Sequence, residues 1–327
     1  MKTQPFTSYA SPIDVLEKTP EIQTRQTPGD TKSPLCLVKD LIWQGQTIQI
    51  EAESGGTWIA CDIAQGIAGG KKLLSRFQCL SPTGVLFLQG GMPHAHILDR
   101  IVRLTDGNNV CPIKVISSEH FTSDDRPDLC DEVFQDEMFS WLADSNVYRV
   151  LILDGVSDLL PDKVEPKQIA RLITLFRSNS LTVISVKSKG EGSIPIPWSK
   201  TDTILNVKAL DGFDDLIIRC SFEKARNLKR DQQKTFFIKL EELDGGKVAF
   251  TECVLDEFLK AKTVQLVLNN WPQTKIARET GKDQSTISRW LNNWALPNSI
   301  LVKDGRKYLL TEAGRKLLKD HNLDPEM

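Results

Sequence analysis

QIEAESGGTWIACDIAQGIAG, Gln49 to Gly69, is the stretch whose reading decides the fold. Leading into it, Thr47, Ile48, Gln49 and Ile50 have strand character. Glu51 to Gly56 form a glycine-bearing loop, and Trp58, Ile59, Ile63, Ala64 and Ile67 recur at helical spacing. Strand, loop and helix in that order can aim backbone N–H groups and a helix N-terminus at phosphates. The working phosphate loop reads G-x-x-x-x-G-K-[ST]. Aligned on Thr57, the chain has Ile50 at the first glycine, Gly55 at the second, and Gly56 where the lysine belongs. That lysine is the point charge that holds the terminal phosphates. Here it is absent, and Glu51 and Glu53 put two carboxylates in the same loop, where like charge opposes a triphosphate. The stretch has the position of a phosphate loop without its chemistry.

The rest of the chain sets the frame. Its 327 residues suggest two domains, and 40% hydrophobic with 26% charged residues describes a soluble globular protein. No apolar run reaches the length of a membrane span, and the segment MKTQPFTSYASPID has no hydrophobic centre of the secretory kind. Seven cysteines, at 36, 61, 79, 111, 130, 220 and 253, form no CxxC pair. Their irregular spacing fits thiols used as small buried residues in a reducing cytoplasm. Net charge is −2, so a nucleic-acid site has to be a local patch.

Residues 1–34, rich in Pro, Thr, Ser and Gln, read as a loose arm with one helical turn near Ile13–Lys18. Residues 35–253 read as alternating strands and helices. Strands are expected at Thr47–Ile50, Val85–Gln89, Ile113–Val115, Val150–Leu153, Leu181–Val186, Thr203–Val207, Leu216–Phe222 and Thr235–Leu240. Helices are expected at Thr57–Gly69, His94–Leu104, Asp131–Asp144 and Pro166–Ser178. Near-continuous apolar runs such as VLFL and VLIL belong to parallel strands covered on both faces. The late strands, separated by turns such as Asp244-Gly245-Gly246, read as antiparallel. The expectation is a doubly wound, mostly parallel α/β sheet with helices on both faces. Asp154 closes a buried strand at its carboxyl end, where such folds bind ligands; it reads equally as a turn residue before Gly155. His94-Ala95-His96, with His120 and Cys111 downstream, reads as structural histidines at a helix start, and no metal site is expected.

From Leu41 onward the motifs follow a consistent order. LIWQGQTIQI is followed by Gly55-Gly56-Thr57-Trp58, then Ala68-Gly69-Gly70-Lys71 with Arg76-Phe77, then Val85-Leu86-Phe87-Leu88-Gln89-Gly90-Gly91-Met92. Leu151–Asp154 with Ser157, Val183–Val186 with Lys187-Ser188-Lys189-Gly190, and Phe222-Glu223-Lys224-Ala225-Arg226-Asn227 complete it. Over residues 35–252 this series resembles the RecA-like hexameric ATPases of the RepA type, the plasmid-replication helicases. The resemblance implies a RecA-like core, with Thr57 and Asp154 on magnesium. It also implies a basic pair, Lys224 and Arg226, reaching into a neighbouring subunit's nucleotide; the same pair reads as a solvated strand face. Two family residues are missing: Gly56 stands for the phosphate lysine and Gly91 for the water-activating glutamate. Losing both removes positioning and water activation together. Gly55, Gly56, Thr57, Gly91 and Asp154 are therefore expected to form a vestigial nucleotide site. No catalytic residue and no cofactor is expected, ATP and magnesium being disfavoured, although Lys187 or Lys189 could stand in for the lysine.

Residues 254–327 change character. Phe258–Asn270 reads as a helix. QTKIARETG, Gln273 to Gly281, and KDQSTISRWL, Lys282 to Leu291, then form the strongest motif in the chain. Ala277 is small where two helices approach, Gly281 supplies a left-handed turn, and Asp283 caps the next helix. With Ile276, Ile287 and Leu291 inward, Gln284, Ser285, Thr286, Ser288 and Arg289 face out, where a helix-turn-helix reaches DNA. A hairpin turning at Asp304-Gly305 carries Lys303, Arg306 and Lys307, and Thr311 opens a last helix. The segment resembles the winged helix-turn-helix domains of bacterial transcription and replication factors. From Lys260 on there are 12 Lys and Arg against 7 Asp and Glu, a local excess of 5 in a chain of net −2. That is the electrostatic footprint of a DNA-contacting domain. Trp290 and Trp294 read as core and interface anchors rather than stacking platforms.

The preferred reading is a cytoplasmic DNA-binding protein of the replication, mobile-element or regulatory kind. It has a non-hydrolysing, oligomerising core, a ring or filament being consistent with it, and double-stranded DNA and other replication or mobile-element proteins as partners. The alternatives are an ATP-driven helicase or loader with an unorthodox site, and a regulator sensing a small ligand in the old crevice.

Overall fold

The computed structural model describes residues 21–22, 35–105, 109–120, 128–155, 160, 164–188, 198–210, 216–253, 255–305, 307–320 and 323. The helical turn expected near Ile13–Lys18, and the positions of Ser157, Lys189 and Arg306, lie outside them.

The strands in chain order begin with β1 (Glu21–Ile22), β2 (Cys36–Val38), β3 (Ile42–Trp43), β4 (Thr47–Ala52), β5 (Lys72–Leu73), β6 (Phe77–Gln78), β7 (Gly84–Gln89) and β8 (Ile113–Ser117). They continue with β9 (Tyr148–Asp154), β10 (Thr182–Ser188), β11 (Thr203–Ala209), β12 (Ile217–Ala225), β13 (Phe236–Glu242) and β14 (Val248–Cys253). A separate hairpin is formed by β15 (Leu301–Asp304) and β16 (Lys307–Leu310). The helices are α1 (Gly56–Gly69), α2 (His94–Leu104), α3 (Glu132–Ser145), α4 (Pro166–Ser178), α5 (Asp256–Leu268), α6 (Gln273–Thr280), α7 (Gln284–Trp290) and α8 (Glu312–Asp320).

The main sheet has ten strands in the order β1-β8-β7-β9-β10-β4-β11-β12-β13-β14. From β8 to β11 every pairing is parallel; β1 on β8 and β12 on β13 are antiparallel. Burial on both faces is what makes these strands read as unbroken apolar runs. Leu86, Leu88, Leu151, Leu153 and Val183 pack with Met138 and Leu142 of α3 and Ile169, Leu172 and Phe176 of α4. The alternate residues Val85, Phe87, Val150, Ile152 and Ile184 are buried as well and point the other way. On that side α1 lies along β4, β7, β9 and β10 and packs against α2. The chain is thus a mostly parallel α/β sheet with helices on both faces, followed by a small helical unit with a two-stranded wing.

Two differences from the sequence reading stand out. Glu21–Ile22, inside the expected loose arm, is a strand paired to Ile113–Lys114. Two short antiparallel ribbons, β2-β3 and β5-β6, were not anticipated; strands of two or three residues carry no measurable periodicity.

By contact the chain forms two compact units. The first is Met1–Lys208 with Phe222–Lys234 and Leu240–Thr251; the second is Glu252–Met327 with Ala209–Ser221 and Thr235–Lys239. The second unit thus includes strand segments that precede the expected boundary at residue 254. Among the described residues no helix is long and apolar enough to cross a membrane. All seven cysteines are free thiols, four of them buried.

Candidate functional site

In the first unit the strand carries into the expected phosphate loop: Glu51 and Ala52 belong to β4, Glu53 to Gly55 connect, and Gly56 opens α1. Ile50, at the first-glycine position, is fully buried in β4 and paired with Val186 and Leu205. The ladder runs on through Ala52, and the Glu53 N–H donates to the Val207 carbonyl at 3.0 Å. Three residues, Glu53 to Gly55, separate β4 from α1. Gly55 caps α1 in the left-handed region at φ 80°. Gly56 is more constrained than a missing lysine implies. A Cβ there would lie 2.7 Å from Ala52 Cβ and 2.8 Å from Val186 Cγ1, so a side chain at this position would force its neighbours to shift.

The two acidic residues are not a bare repulsive pair. Glu51 belongs to β4, accepts from Gln49 Nε2 at 2.8 Å, and faces Lys187 Nζ at 3.9 Å. Glu53 pairs with Lys208 at 3.2 Å. Lys187, a candidate stand-in for the phosphate lysine, is therefore committed to Glu51, although at 3.9 Å and partly exposed this is a weak tie.

Asp154 does end β9 at the carboxyl edge of the sheet, 4% exposed. Gln89 Nε2 donates to its Oδ2 at 3.0 Å, and Gln89 Oε1 accepts from the Gly91 N–H at 2.9 Å. Gly155, at φ 65°, leaves room for this link: a Cβ there would sit 2.7 Å from Gln89 Oε1. Gly91 and Asp154 are thus joined through Gln89, the last residue of β7, to which no motif gives a role. Beside them Arg100 of α2 stacks its guanidinium on Trp58, 4.9 Å from the ring centre. Cys61 of α1 has its thiol pushed up by burial first and by the Asp154 charge second. Asp62, one residue on, is raised from 3.8 to about 7 by burial, against a 2.6 Å hydrogen bond from the Leu74 N–H.

The histidines divide. His94 and His120 meet edge to face with ring centres 4.4 Å apart, and burial, then His120, lowers the His94 pKa. His96 is exposed, and Cys111 precedes β8 whereas His120 follows it. Among the described residues no cluster of His, Cys, Asp or Glu could hold a metal ion.

Lys224 and Arg226 gather at the amino ends of β4 and β11. Arg226 Nη1 lies 2.8 Å from Asp202 Oδ1, and Arg177 Nη1 is 3.5 Å from Oδ2. The Thr47 N–H donates to Oδ2 at 3.0 Å, and Lys224 Nζ donates to the Thr201 carbonyl at 2.5 Å. Burial and then Arg226 lower the Lys224 pKa. The pair is engaged within its own chain around a carboxylate that is itself 3% exposed. No motif marked Asp202.

In the second unit, α6 ends on Gly281 at φ 66°, the left-handed residue that turns the chain into α7. Asp283 caps α7, accepting from the Thr286 N–H and from Ser285 Oγ, both at 2.6 Å. Those two bonds hold its carboxyl below the usual range. Ile276 and Ile287 are fully buried, Leu291 almost so, and Ala277 is buried between the helices. Past Trp290 the helix widens into a π turn over Leu291–Ala295, with the Leu296 N–H bonded to the Leu291 carbonyl.

Residues 255–298 match the sequence model of a homeodomain-like domain. The match covers α5, α6, α7 and the π turn, and stops before the wing. Comparison with curated proteins found no match. Among solved structures the chain is similar to the flagellar accessory protein FlaH of Methanocaldococcus jannaschii, with 13% identity over 65% of this chain and 91% of that one, at a TM-score of 0.45.

On this helix-turn-helix, Gln284, Ser285 and Arg289 are exposed and Thr286 and Ser288 half-exposed. Several already have local partners. Ser285 donates to Asp283, Arg289 Nη2 donates to Thr286 Oγ1 at 3.0 Å, and Asn292 Nδ2 donates to Ser288 Oγ at 3.2 Å. Gln284 and Arg289 are the long side chains that project from the helix. On the wing, Lys303 and Lys307 are exposed, and Val302 and Leu309, directly opposite in register, are each 51% exposed. Three lysines lie over tryptophan rings: Lys275 on Trp271, Lys282 on Trp290 and Lys260 on Trp294. The tryptophans pack half-buried around the core of this unit, as anchors.

Proposed function

We propose that the chain is a double-stranded DNA-binding protein. It reads the major groove with α7 and steadies itself on the backbone with the wing, and its α/β core is a RecA-like fold that no longer hydrolyses ATP. The observation that carries the reading is the homeodomain-like match together with the polar outer face of α7, Gln284, Ser285, Thr286, Ser288 and Arg289, set by the Gly281 turn and the Asp283 cap. Arg289 and Gln284 are the side chains suited to base edges; Lys303, Arg306 and Lys307 suit phosphates. For the core, the short connection into α1, the crowded position at Gly56 and the use of Gly91 to hold Gln89 all weigh against triphosphate chemistry. Its role is assembly: copies joined through the core present several helix-turn-helix units, and effective concentration multiplies a modest site affinity. A replication, mobile-element or regulatory setting suits such a protein, and Lys224 and Arg226 are candidates for contact between copies.

The test is a titration of the full chain against duplexes selected from a randomised pool, beside ATP turnover with magnesium. Arg289→Ala is expected to weaken the selected duplex by about 1–3 kcal/mol, whereas Lys303→Ala lowers all sequences alike. ATP turnover that Asp154→Ala abolishes would overturn the scaffold role and favour a motor. DNA affinity untouched by both C-terminal substitutions would make the unit a protein-contact module.

A further inference from the structure

The strand segments of the second unit fall on the turn of its helix-turn-helix. Arg219 of β12 donates from Nη1 to the carbonyl of Arg278, at 3.2 Å, and to that of Glu279. These carbonyls lie in the last turn of α6, where no following turn supplies donors. A guanidinium there also meets the negative end of the helix dipole. Two residues later Gly281 rests against Thr235, just ahead of β13: a Cβ on Gly281 would lie 2.6 Å from Thr235 Cγ2. Phe237 of β13 is buried in the same cluster as Ile276, Ala277 and Ile287. The turn that orients α7 is thus held by a charge-assisted bond, a tight backbone approach and a shared apolar core, all supplied by residues outside the homeodomain-like segment.

We propose that Arg219 is a positioning residue for DNA reading: it fixes the end of α6, and through Gly281 the angle at which α7 meets the groove. This rests on the DNA-binding function proposed above. A base contact has to be placed within hydrogen-bond tolerance, whereas a phosphate contact through a flexible lysine does not. Loss of Arg219 therefore falls on sequence discrimination and spares general affinity.

The experiment uses the full chain with Arg219→Ala and Arg219→Lys. It compares affinity for a duplex selected from a randomised pool with affinity for a poly(dI-dC) duplex, and follows amide hydrogen exchange. Arg219→Ala is expected to lose about tenfold on the selected duplex, as one displaced base contact would. On poly(dI-dC) it is expected to stay within about twofold. Amides from Gly281 to Ile287 exchange faster while those of α5 are unchanged, and Arg219→Lys, which keeps a donor, recovers part of both effects. Equal loss on the two duplexes, or unchanged exchange at the turn, overturns the proposal. If the wild type binds neither duplex, the DNA-binding function falls, and exchange at the turn still decides the role of Arg219.

Discussion

Gly56 shows how one residue settles a question the motif leaves half answered. The sequence marks it as a lysine that is missing; the packing shows a site where a side chain would have to displace its neighbours, with a Cβ 2.7 and 2.8 Å from Ala52 and Val186. Gly56→Ala is expected to cost about 1–3 kcal/mol from overpacking, read as a lowered Tm, and Gly56→Lys to leave ATP binding where it was. Asp62 gives a second prediction at this scale. Its carboxyl titrates near about 7 in the fold against an ordinary 3.8, because burial disfavours the charge. The fold prefers the protonated form. Its stabilising effect is therefore complete below the ordinary value and is lost as the pH rises through about 7. Asp62→Asn stays neutral and keeps an acceptor for the Leu74 N–H. It is expected to match wild type near pH 4 and to exceed it by about 1–2 kcal/mol near pH 8, a figure held down because part of the residue is still accessible. Thermal unfolding at the two pH values checks it.

Among the elements, strands and helices divide by how far their neighbours can be inferred. β7 and β9 were legible because strands covered on both faces are apolar without alternation, and α6-Gly281-α7 because a left-handed glycine followed by an aspartate cap leaves a local signature. The end of β4 is less legible: Glu51 and Ala52 extend the strand past the expected Ile50, and the pairing of Glu51 with Lys187 of β10 and of Glu53 with Lys208 of β11 has no local signal. Asp202 was missed for the same reason. Its partners Thr47, Arg177 and Arg226 come from β4, α4 and the end of β12, and nothing local announces them. Asp202→Ala removes the carboxylate shared by Arg177 and Arg226 and strands the Thr47 N–H. The expected loss is about 1–3 kcal/mol, set mainly by the stranded N–H, because the two guanidiniums are partly exposed and regain water. Denaturant unfolding measures it, and a loss under about 1 kcal/mol would mean that solvent replaces the carboxylate there.

For the whole molecule the telling quantity is the distribution of charge. The chain totals −2 while the segment from Lys260 carries an excess of 5, so residues 1–259 carry −7. A net acidic remainder disfavours the phosphate backbone, so the proposed DNA affinity is assigned to the helix-turn-helix and wing. Lys303, Arg306 and Lys307 offer about three phosphate contacts for each copy, which predicts a log K against log salt slope of about −2.7 for one bound copy. If the core assembles copies, as proposed, the slope per duplex steepens with the number of units engaged, reaching about −5.4 for two. Lys303→Ala then reduces the paired slope by about two steps of 0.9 and the single-copy slope by about one. Measuring binding across a salt series, with stoichiometry from light scattering on the same complex, tests charge and assembly together. A slope of about −2.7 on a complex containing two or more chains would show that the core gathers copies without presenting their DNA-reading faces to one duplex, and would remove the multivalent role assigned to it.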